Sequence, residues 1–503
     1  MRGFLASSIG VTCAAVLVLP LTPPAVAATA TPARGAEAAT SAEAAAGPAV
    51  RHETPEPSLP GSTQSLPLAP LTHDRVQGAP TEQGLPRRDV RHFSLVGVVW
   101  DDPHTELHGR VQVRTRAVDS GSWSGWQDVE THNAEHAADP GTAEDTSGRL
   151  RGSTAPLWVG ESNGVEVRVT AEGDDRRSEA HAPAPVRGAA DPAPKSDPTA
   201  GTEGTSPLPD GLRLELVDPG EPAQTPSDPG GAPRPGSLGA ETGETAEVLA
   251  ASALDAAASA NVELAPLGAA EIPALTRAET ERELVDLRGG ELTQEQRARP
   301  HIGPRPRIVT RRGWGANEWV RERRFAYTKR VKAAFVHHTA TGAKYWCSQA
   351  PSLIRGIYRY HVKSMGWRDL GYNFLVDKCG NIYEGRAGGV AKPVLGAHTL
   401  GFNSNSMGIA VIGSYGSSKP TRATLRAIAR LTAWKLGLSG VNPRGKTYLR
   451  SGGGFGNLHR KGKNVRLNVI SGHRDSYSTE CPGWQLYRKL GTARSAAARY
   501  QGR

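Results

Sequence analysis

Two hydrophobic rhythms divide the chain. Between about residues 89 and 184, the runs FSLVGVVW, LHGRVQVRTRAV, GSWSGWQDV and NGVEVRVTAEG alternate apolar and polar positions, with Gly, Asp and Ser turns between them. Alternation with a period of two, broken by turn residues, predicts short antiparallel strands and a small all-β domain. From Arg307 onward the rhythm changes. AAFVHHTA reads as a buried strand ending in histidines, and SMGIAVIG as a second, continuously apolar strand. In PSLIRGIYRYHVKS the residues Leu353, Ile354, Ile357, Tyr358 and His361 recur at helical spacing. GYNFLVDKCGNIYEGR predicts two strands around a turn at Lys378 to Asn381, and TRATLRAIARLTAWKLG a helix with a basic outer face and a glycine stop. A last helix follows CPGW. Strands alternating with helices predict an α/β fold, a mixed sheet flanked by helices, over residues 301–503.

Other stretches carry no such rhythm. Arg2, an apolar run from Phe4 to about Leu21, and the small-x-small site Ala25, Val26, Ala27 read as a secretory signal peptide over 1–27. No later apolar run approaches the roughly 18 residues needed to span a bilayer. The expected product is exported, extracellular or associated with a cell wall, with no transmembrane segment. Residues 28–87, rich in Ala, Pro, Thr and Ser, are expected to be disordered. The β domain is bounded at 88–185. Residues 186–300 read as linker, with one short apolar run, GLRLELV, an Ala-rich acidic stretch from Gly239 to Ala269 that favours helix, and a charged connector over 270–300. Trp123 and Trp126 read as core of the β domain, with a sugar-stacking surface as the alternative. That domain shows no cluster of metal-ligating or nucleophilic residues.

Charge sharpens the division. Residues 301–503 hold 36 Lys and Arg against 7 Asp and Glu, while the rest of the chain holds 24 against 43. A domain this basic suits a polyanion, which outside a cell means wall polymers, anionic lipid or free nucleic acid. No aromatic interleaving or base-reading motif supports specific nucleic-acid binding. Loss of the leader removes Cys13 and leaves Cys347, Cys379 and Cys481, an odd number in an oxidising compartment.

His337 or His338 ends a strand, and His473 and Cys481 flank one loop. Imidazole and thiolate are zinc ligands, and a catalytic zinc keeps three protein ligands with an open fourth position. The spacing is not that of a zinc finger. It suits ligands that the fold brings together, although a half-buried histidine and a small core cysteine would leave the same trace.

VHHTA (336–340), GWRDLGYNFLVDKCGNIYEGR (366–386), GAHTLGFNSNSMGIAVIG (396–413) and SGHRDSYSTECPG (471–483) occur in this order. Together they resemble the peptidoglycan recognition protein family, which includes zinc-dependent N-acetylmuramoyl-L-alanine amidases. The resemblance implies one zinc ion held by His337, His473 and Cys481, with His338 either supporting a ligand from behind or structural. It implies a catalytic role for Tyr372 and a place beside it for Thr479, both hydrogen-bonding the water or the developing oxyanion. Zinc in such a site lowers the pKa of its water to about 7. The expected reaction is hydrolysis of the amide between the lactyl group of N-acetylmuramic acid and L-alanine. With Cys481 on the metal, Cys347 and Cys379 are expected to pair as a disulfide, two free buried thiols being the alternative.

The same resemblance implies a groove for diaminopimelate-type stem peptides. Gly366, Trp367 and Arg386 match the family members with that preference, and an Arg grips a carboxylate in bidentate fashion. His398 and Asn403 match positions lining the groove. The basic, glycine-rich insertion from about Leu438 to Leu467 departs from the pattern of the family's phage amidases; it is expected either to dock on anionic wall polymers or to be mobile. The rival reading is a wall-binding module of the same fold without catalysis, which retention of Cys481 argues against.

Overall fold

The structure is a computed structural model that describes residues 60–71, 82–172, 207–222 and 256–503. The expected leader at 1–27, most of the segment 28–87 and much of the linker 186–300 lie outside the described residues.

The N-terminal sheet is antiparallel throughout. Its strands are β1 (Ser62–Pro67), β2 (Ala69–Pro70), β3 (Glu82–Trp100), β4 (Gly109–Ala117), β5 (Gln127–Val129), β6 (Gly152–Ser153), β7 (Leu157–Ala171) and β8 (Arg213–Asp218). The order is β1-β8-β3-β7-β4-β5, with β2 and β6 pairing with β3. Val165, Val167 and Val169 of β7 alternate into its core, as a period of two requires. Strand β8 comes from GLRLELV, the run read as part of a linker; it enters between β1 and β3 with Leu214, Leu216 and Val217 fully buried. Strand β1 lies in the segment expected to be disordered. Both pair with distant residues, so their Pro- and Gly-rich flanks hid them. Trp123 and Trp126 are half-buried rather than core; Arg87 lies over the first ring, and Arg114 and Arg168 over the second.

The C-terminal sheet combines β9 (Glu271–Ile272), β10 (Ile308–Val309), β11 (Ala333–His338), β12 (Phe374–Val376), β13 (Ile382–Glu384), β14 (Ser406–Val411) and, beyond a separate hairpin of β15 (Lys446–Arg450) and β16 (Asn464–Asn468), β17 (Ile470–Gly472). Its order is β17-β11-β14-β12-β13-β10-β9. The pairs β17/β11, β11/β14, β14/β12 and β13/β10 are parallel, while β12/β13 and β10/β9 are antiparallel, so the sheet is mixed. Among the helices are α1 (Arg277–Arg288), α2 (Ala350–Arg359), α3 (Arg422–Gly437) and α4 (Leu490–Tyr500). Ile409 and Val411 of β14 face α3 and α4 with Trp434 and Leu490, while Ala410 joins Leu353 and Ile357 of α2 on the other side. Apolar layers on both faces explain why SMGIAVIG is apolar without alternation.

The connector expected over 270–300 belongs to this domain. Strand β9 pairs with β10, and α1 starts with a capping box between Thr276 and Glu279. The basic insertion is an ordered hairpin. Leu449, Val465 and Leu467 pack against Phe335 and Phe402, leaving Lys446, Arg450 and Arg466 exposed. Cys347 and Cys379 form a disulfide. Among the described residues, no helix is long and apolar enough to cross a membrane.

The two sheets are joined by a shared apolar core. FSLVGVVW is buried at every position rather than alternately, because it is covered on both faces. Val96, Val98 and Trp100 point into the β domain, while Leu95 and Val99 pack with Ile354, Ile357 and Tyr360 from α2 and the turn after it. At Gly97 a Cβ would fall 2.3 Å from the Tyr360 hydroxyl oxygen, so the close approach needs glycine. The Tyr360 hydroxyl donates to the Thr154 carbonyl at 3.1 Å.

Candidate metal centre and binding groove

Two neighbouring parallel strands build the centre. In β11 and β17, Val336 pairs with Gly472, so the residues that follow, His337 and His473, emerge at the same sheet edge. Ligands in such sheets gather at the carboxyl ends of strands. The next loop returns Cys481 to this point, with the Arg474 amide donating to the Cys481 carbonyl at 3.1 Å. The Cys481 Sγ lies 3.7 Å from His337 Nδ1, and the rings of His337 and His473 are 4.6 Å apart.

A residue absent from the sequence reading joins them. His136, from the loop after β5, puts Nε2 3.6 Å from Cys481 Sγ and its ring 4.6 Å from that of His473. The ligand atoms of His136, His337, His473 and Cys481 all lie within 4.8 Å of one another, and all four residues are buried. These residues fit a metal ion. Neither ring nitrogen of His473 has a hydrogen-bond partner, an orphaning that costs about 1–3 kcal/mol per group unless another partner takes the lone pair. Burial holds the His337 and His473 imidazoles well below the ordinary range, and burial with His338 nearby lowers His136 to about 3. All three are therefore neutral, with lone pairs available. Burial pushes the Cys481 thiol well above its ordinary range, and a bound metal ion would favour the thiolate; three imidazoles and one thiolate form a zinc donor set.

The sequence reading expects an open fourth position; the structure brings the His136 imidazole to the same cluster as the three expected ligands. The space ringed by Glu135, His136, Tyr372, Thr479 and Cys481 is about 10 Å³, room for about one water. The β domain's apparent lack of metal-ligating residues is corrected by the same observation. Nothing periodic marks HNAEHAAD, the stretch that carries His136, but two histidines and two acids outside any strand pattern were a signal.

The other candidates take several positions. His338 accepts from the Tyr415 amide at 3.3 Å and stays outside the four-residue cluster. Tyr372 is buried, its ring 5.5 Å from that of His337, and burial pushes its phenol well above the ordinary range. The Thr479 hydroxyl accepts from the Cys481 amide at 3.1 Å and donates to Glu135 at 2.6 Å. His398 sits behind the metal centre; its Nδ1 and the Thr399 hydroxyl each lie 3.3 Å from His337 Nε2 and orient that ring. The Asn403 side-chain oxygen accepts from the amides of His398 and Thr399 at 2.7 and 3.0 Å. Trp367 is turned into the core, 4% exposed, with its ring 4.4 Å from that of His361. Gly366 adopts φ of 80°, a conformation that favours glycine.

Arg386 is buried and faces Glu144 of the β domain. Two parallel bonds of 2.8 and 2.9 Å link the guanidinium to both carboxylate oxygens, and the Arg368 amide donates to the same group at 3.1 Å. Burial alone would raise the Glu144 carboxyl, but the Arg386 charge and hydrogen bonds outweigh it and hold it below its ordinary value. Behind this pair, Arg311 bridges Glu318 at 2.7 Å and Asp369 at 3.1 Å, and donates to the Gly385 carbonyl at 2.6 Å. Arg386 Nε in turn donates to the Leu370 carbonyl at 2.7 Å, so the buried network fixes the loop that presents it.

Residues 327–484 match the N-acetylmuramoyl-L-alanine amidase family. Peptidoglycan-recognition protein SC2 of Drosophila simulans is 33% identical over 188 residues, which are 37% of this chain and 85% of that protein. The chain belongs to the peptidoglycan recognition protein family. The human N-acetylmuramoyl-L-alanine amidase is 37% identical over 125 residues, 24% of this chain and 21% of that protein. A crystal structure of peptidoglycan recognition protein-LE in complex with tracheal cytotoxin, a monomeric diaminopimelic acid-type peptidoglycan, is 31% identical and covers 37% of this chain and 92% of that chain, with a TM-score of 0.29. Outside the recognition-protein domain, residues 48–201 match the family described as Rv3811 N-terminal galactose-binding domain-like.

Proposed function

We propose that the chain is a secreted zinc-dependent N-acetylmuramoyl-L-alanine amidase that hydrolyses peptidoglycan. The observation that carries this reading is the convergence of His337, His473 and Cys481 at one sheet edge beside Tyr372. Membership of the peptidoglycan recognition protein family supports peptidoglycan cleavage or binding as the task.

Zinc held by these residues supplies a Lewis acid that activates water and polarises a carbonyl. The protein's own groups do the rest. The phenol of Tyr372 stays protonated at neutral pH and donates a hydrogen bond to the amide oxygen as negative charge develops there. His398 and Thr399 hold the His337 ring in place, and Thr479 fixes the backbone of Cys481. Arg386 grips a carboxylate of the stem peptide, the role it now performs with Glu144, and this favours diaminopimelate stems.

The test digests diaminopimelate-type peptidoglycan with the zinc-loaded full chain and with the full chain carrying His136→Ala, with and without chelator. Soluble stem peptides beginning with L-alanine, lost on chelation and restored by zinc, are the expected product. Cleavage inside the stem peptide, or no release from either protein, overturns the amidase.

A second reading has its own observation. Metal sites closed by four protein ligands are characteristically structural, and His136 makes this one closed. On that reading the domain binds the wall without cutting it, and wall pelleting without product supports it.

A further inference from the structure

Residues 130–149 leave the β domain's sheet between β5 and β6 and run along the C-terminal domain. Several of them meet partners there, while Asn133 bonds back to Ser153 and Thr154 of the β domain. Glu135 takes the Thr479 hydroxyl on its carboxylate and the Leu400 amide, at 2.9 Å, on its carbonyl. His136 joins the metal centre. The Ala137 carbonyl accepts from the Asn403 side-chain amide at 2.8 Å. Asp139 Oδ1 accepts from the Gly401 amide at 2.9 Å, the Asn403 amide at 3.2 Å and the Asn403 side chain at 2.7 Å, and Oδ2 accepts from the Ser404 amide at 3.3 Å. Glu144 closes on Arg386 and the Arg368 amide. The Arg149 carbonyl then passes so close to Gly366 that a Cβ there would fall 2.0 Å from it.

This is how a peptide ligand would be read. A chain segment presents carboxylates to a buried guanidinium and to a nest of backbone amides, and a lone pair to the metal centre. Glu144 and Arg386 are both buried, at 6% and 9% exposure, which a charged pair reaches only when each answers the other. The segment is tied at both ends to a domain that shares an apolar core with its target, so it competes as an intramolecular ligand.

We propose that residues 130–149 are a built-in mimic of the peptidoglycan stem peptide, with His136 as the metal's fourth protein ligand. In this arrangement the chain is latent, and the groove opens only when the segment is displaced. The groove's role and the substrate identity rest on the proposed function; the contacts of residues 130–149 with the C-terminal domain do not.

The test compares the unmodified full chain with the triple variant His136→Ala, Asp139→Ala, Glu144→Ala. The probe is N-acetylmuramoyl-L-alanyl-γ-D-glutamyl-diaminopimelic acid, titrated calorimetrically. Because only the open fraction of the chain can bind, the variant is expected to take up the probe at least about tenfold more tightly. In cobalt-loaded protein, azide is expected to change the visible spectrum of the variant and leave the unmodified chain unchanged. Equal affinity and equal response to azide in the two proteins overturn the proposal. Tighter binding without any hydrolysis of peptidoglycan leaves the mimic standing and removes the amidase. If the variant does not fold, hydrogen exchange in the unmodified chain decides. Millimolar probe is expected to raise exchange across residues 130–149, and unchanged protection there overturns the proposal.

Discussion

The Nε2 of His136 lies 3.6 Å from the Sγ of Cys481, across 345 positions of sequence. One belongs to the β domain and the other to the last loop of the recognition-protein domain. Their pairing predicts unequal effects on metal binding. Cys481→Ala removes the thiolate and is expected to abolish stoichiometric zinc. His136→Ala leaves His337, His473 and Cys481 and is expected to retain one zinc per chain. Metal analysis after gel filtration distinguishes the two. Equal loss would mean that all four ligands are needed to hold the ion.

The Glu144–Arg386 pair predicts a strong coupling in stability. Removing either partner strands a buried charge, at a cost of about 3–5 kcal/mol. Glu144→Ala and Arg386→Ala are each expected to destabilise the full chain, and the double variant is expected to lose much less than their sum. Denaturant midpoints for the four proteins measure this. Additive losses would show that the bidentate contact contributes little.

Arg386 also makes a prediction about specificity. In a chain opened by His136→Ala, Asp139→Ala and Glu144→Ala together, Arg386→Ala is expected to lower kcat/KM on diaminopimelate-type peptidoglycan by at least about tenfold, the loss of roughly one charge-assisted contact. Lysine-type peptidoglycan, which lacks the extra carboxylate, is expected to change little. Equal losses on both substrates would remove the carboxylate role.

How far the sequence reveals this arrangement depends on the range of each signal. SMGIAVIG and the helix at 422–437 are legible because their patterns are local, and the four ordered motifs mark His337, His473 and Cys481. Trp367 shares the same motif as Arg386 but is buried against His361, since a motif match does not say which side of a loop a ring takes. GLRLELV supplies most of a six-residue strand whose partners, β1 and β3, lie more than a hundred positions away, and nothing nearby announces them. His136, Asp139 and Glu144 are harder still. Their roles come from docking the β domain on α2, and that follows from Leu95 and Val99 facing outward from their own sheet. In a strand read as alternating, outward apolar residues are the sign that a second surface covers it.

The disulfide between Cys347 and Cys379 closes a loop of 32 residues by sequence separation. Loop-closure entropy for that length stabilises by about 3–4 kcal/mol. Cys347→Ser is expected to lower the unfolding midpoint without altering zinc content, because the bridge ties the start of α2 to the β12–β13 turn rather than to the metal ligands. Thermal unfolding with parallel metal analysis checks both halves. Loss of zinc would mean that the loop supports the centre directly.

Tyr372 offers the sharpest separation of binding from chemistry. It contributes no ligand to the His and Cys cluster, and its hydroxyl is the only atom that Tyr372→Phe removes. Burial keeps the phenol protonated across the working pH range, so it serves as a donor and not as a base. A donor aimed at a developing oxyanion acts on the transition state far more than on the bound substrate. In the background of the triple variant His136→Ala, Asp139→Ala, Glu144→Ala, Tyr372→Phe is therefore expected to keep its zinc and its affinity for the muropeptide while kcat falls by roughly 10²–10³-fold. Calorimetry, metal analysis and product mass spectrometry on one preparation read all three quantities. A fall in affinity with unchanged kcat would place Tyr372 in the groove wall. Full activity would remove it from the reaction altogether.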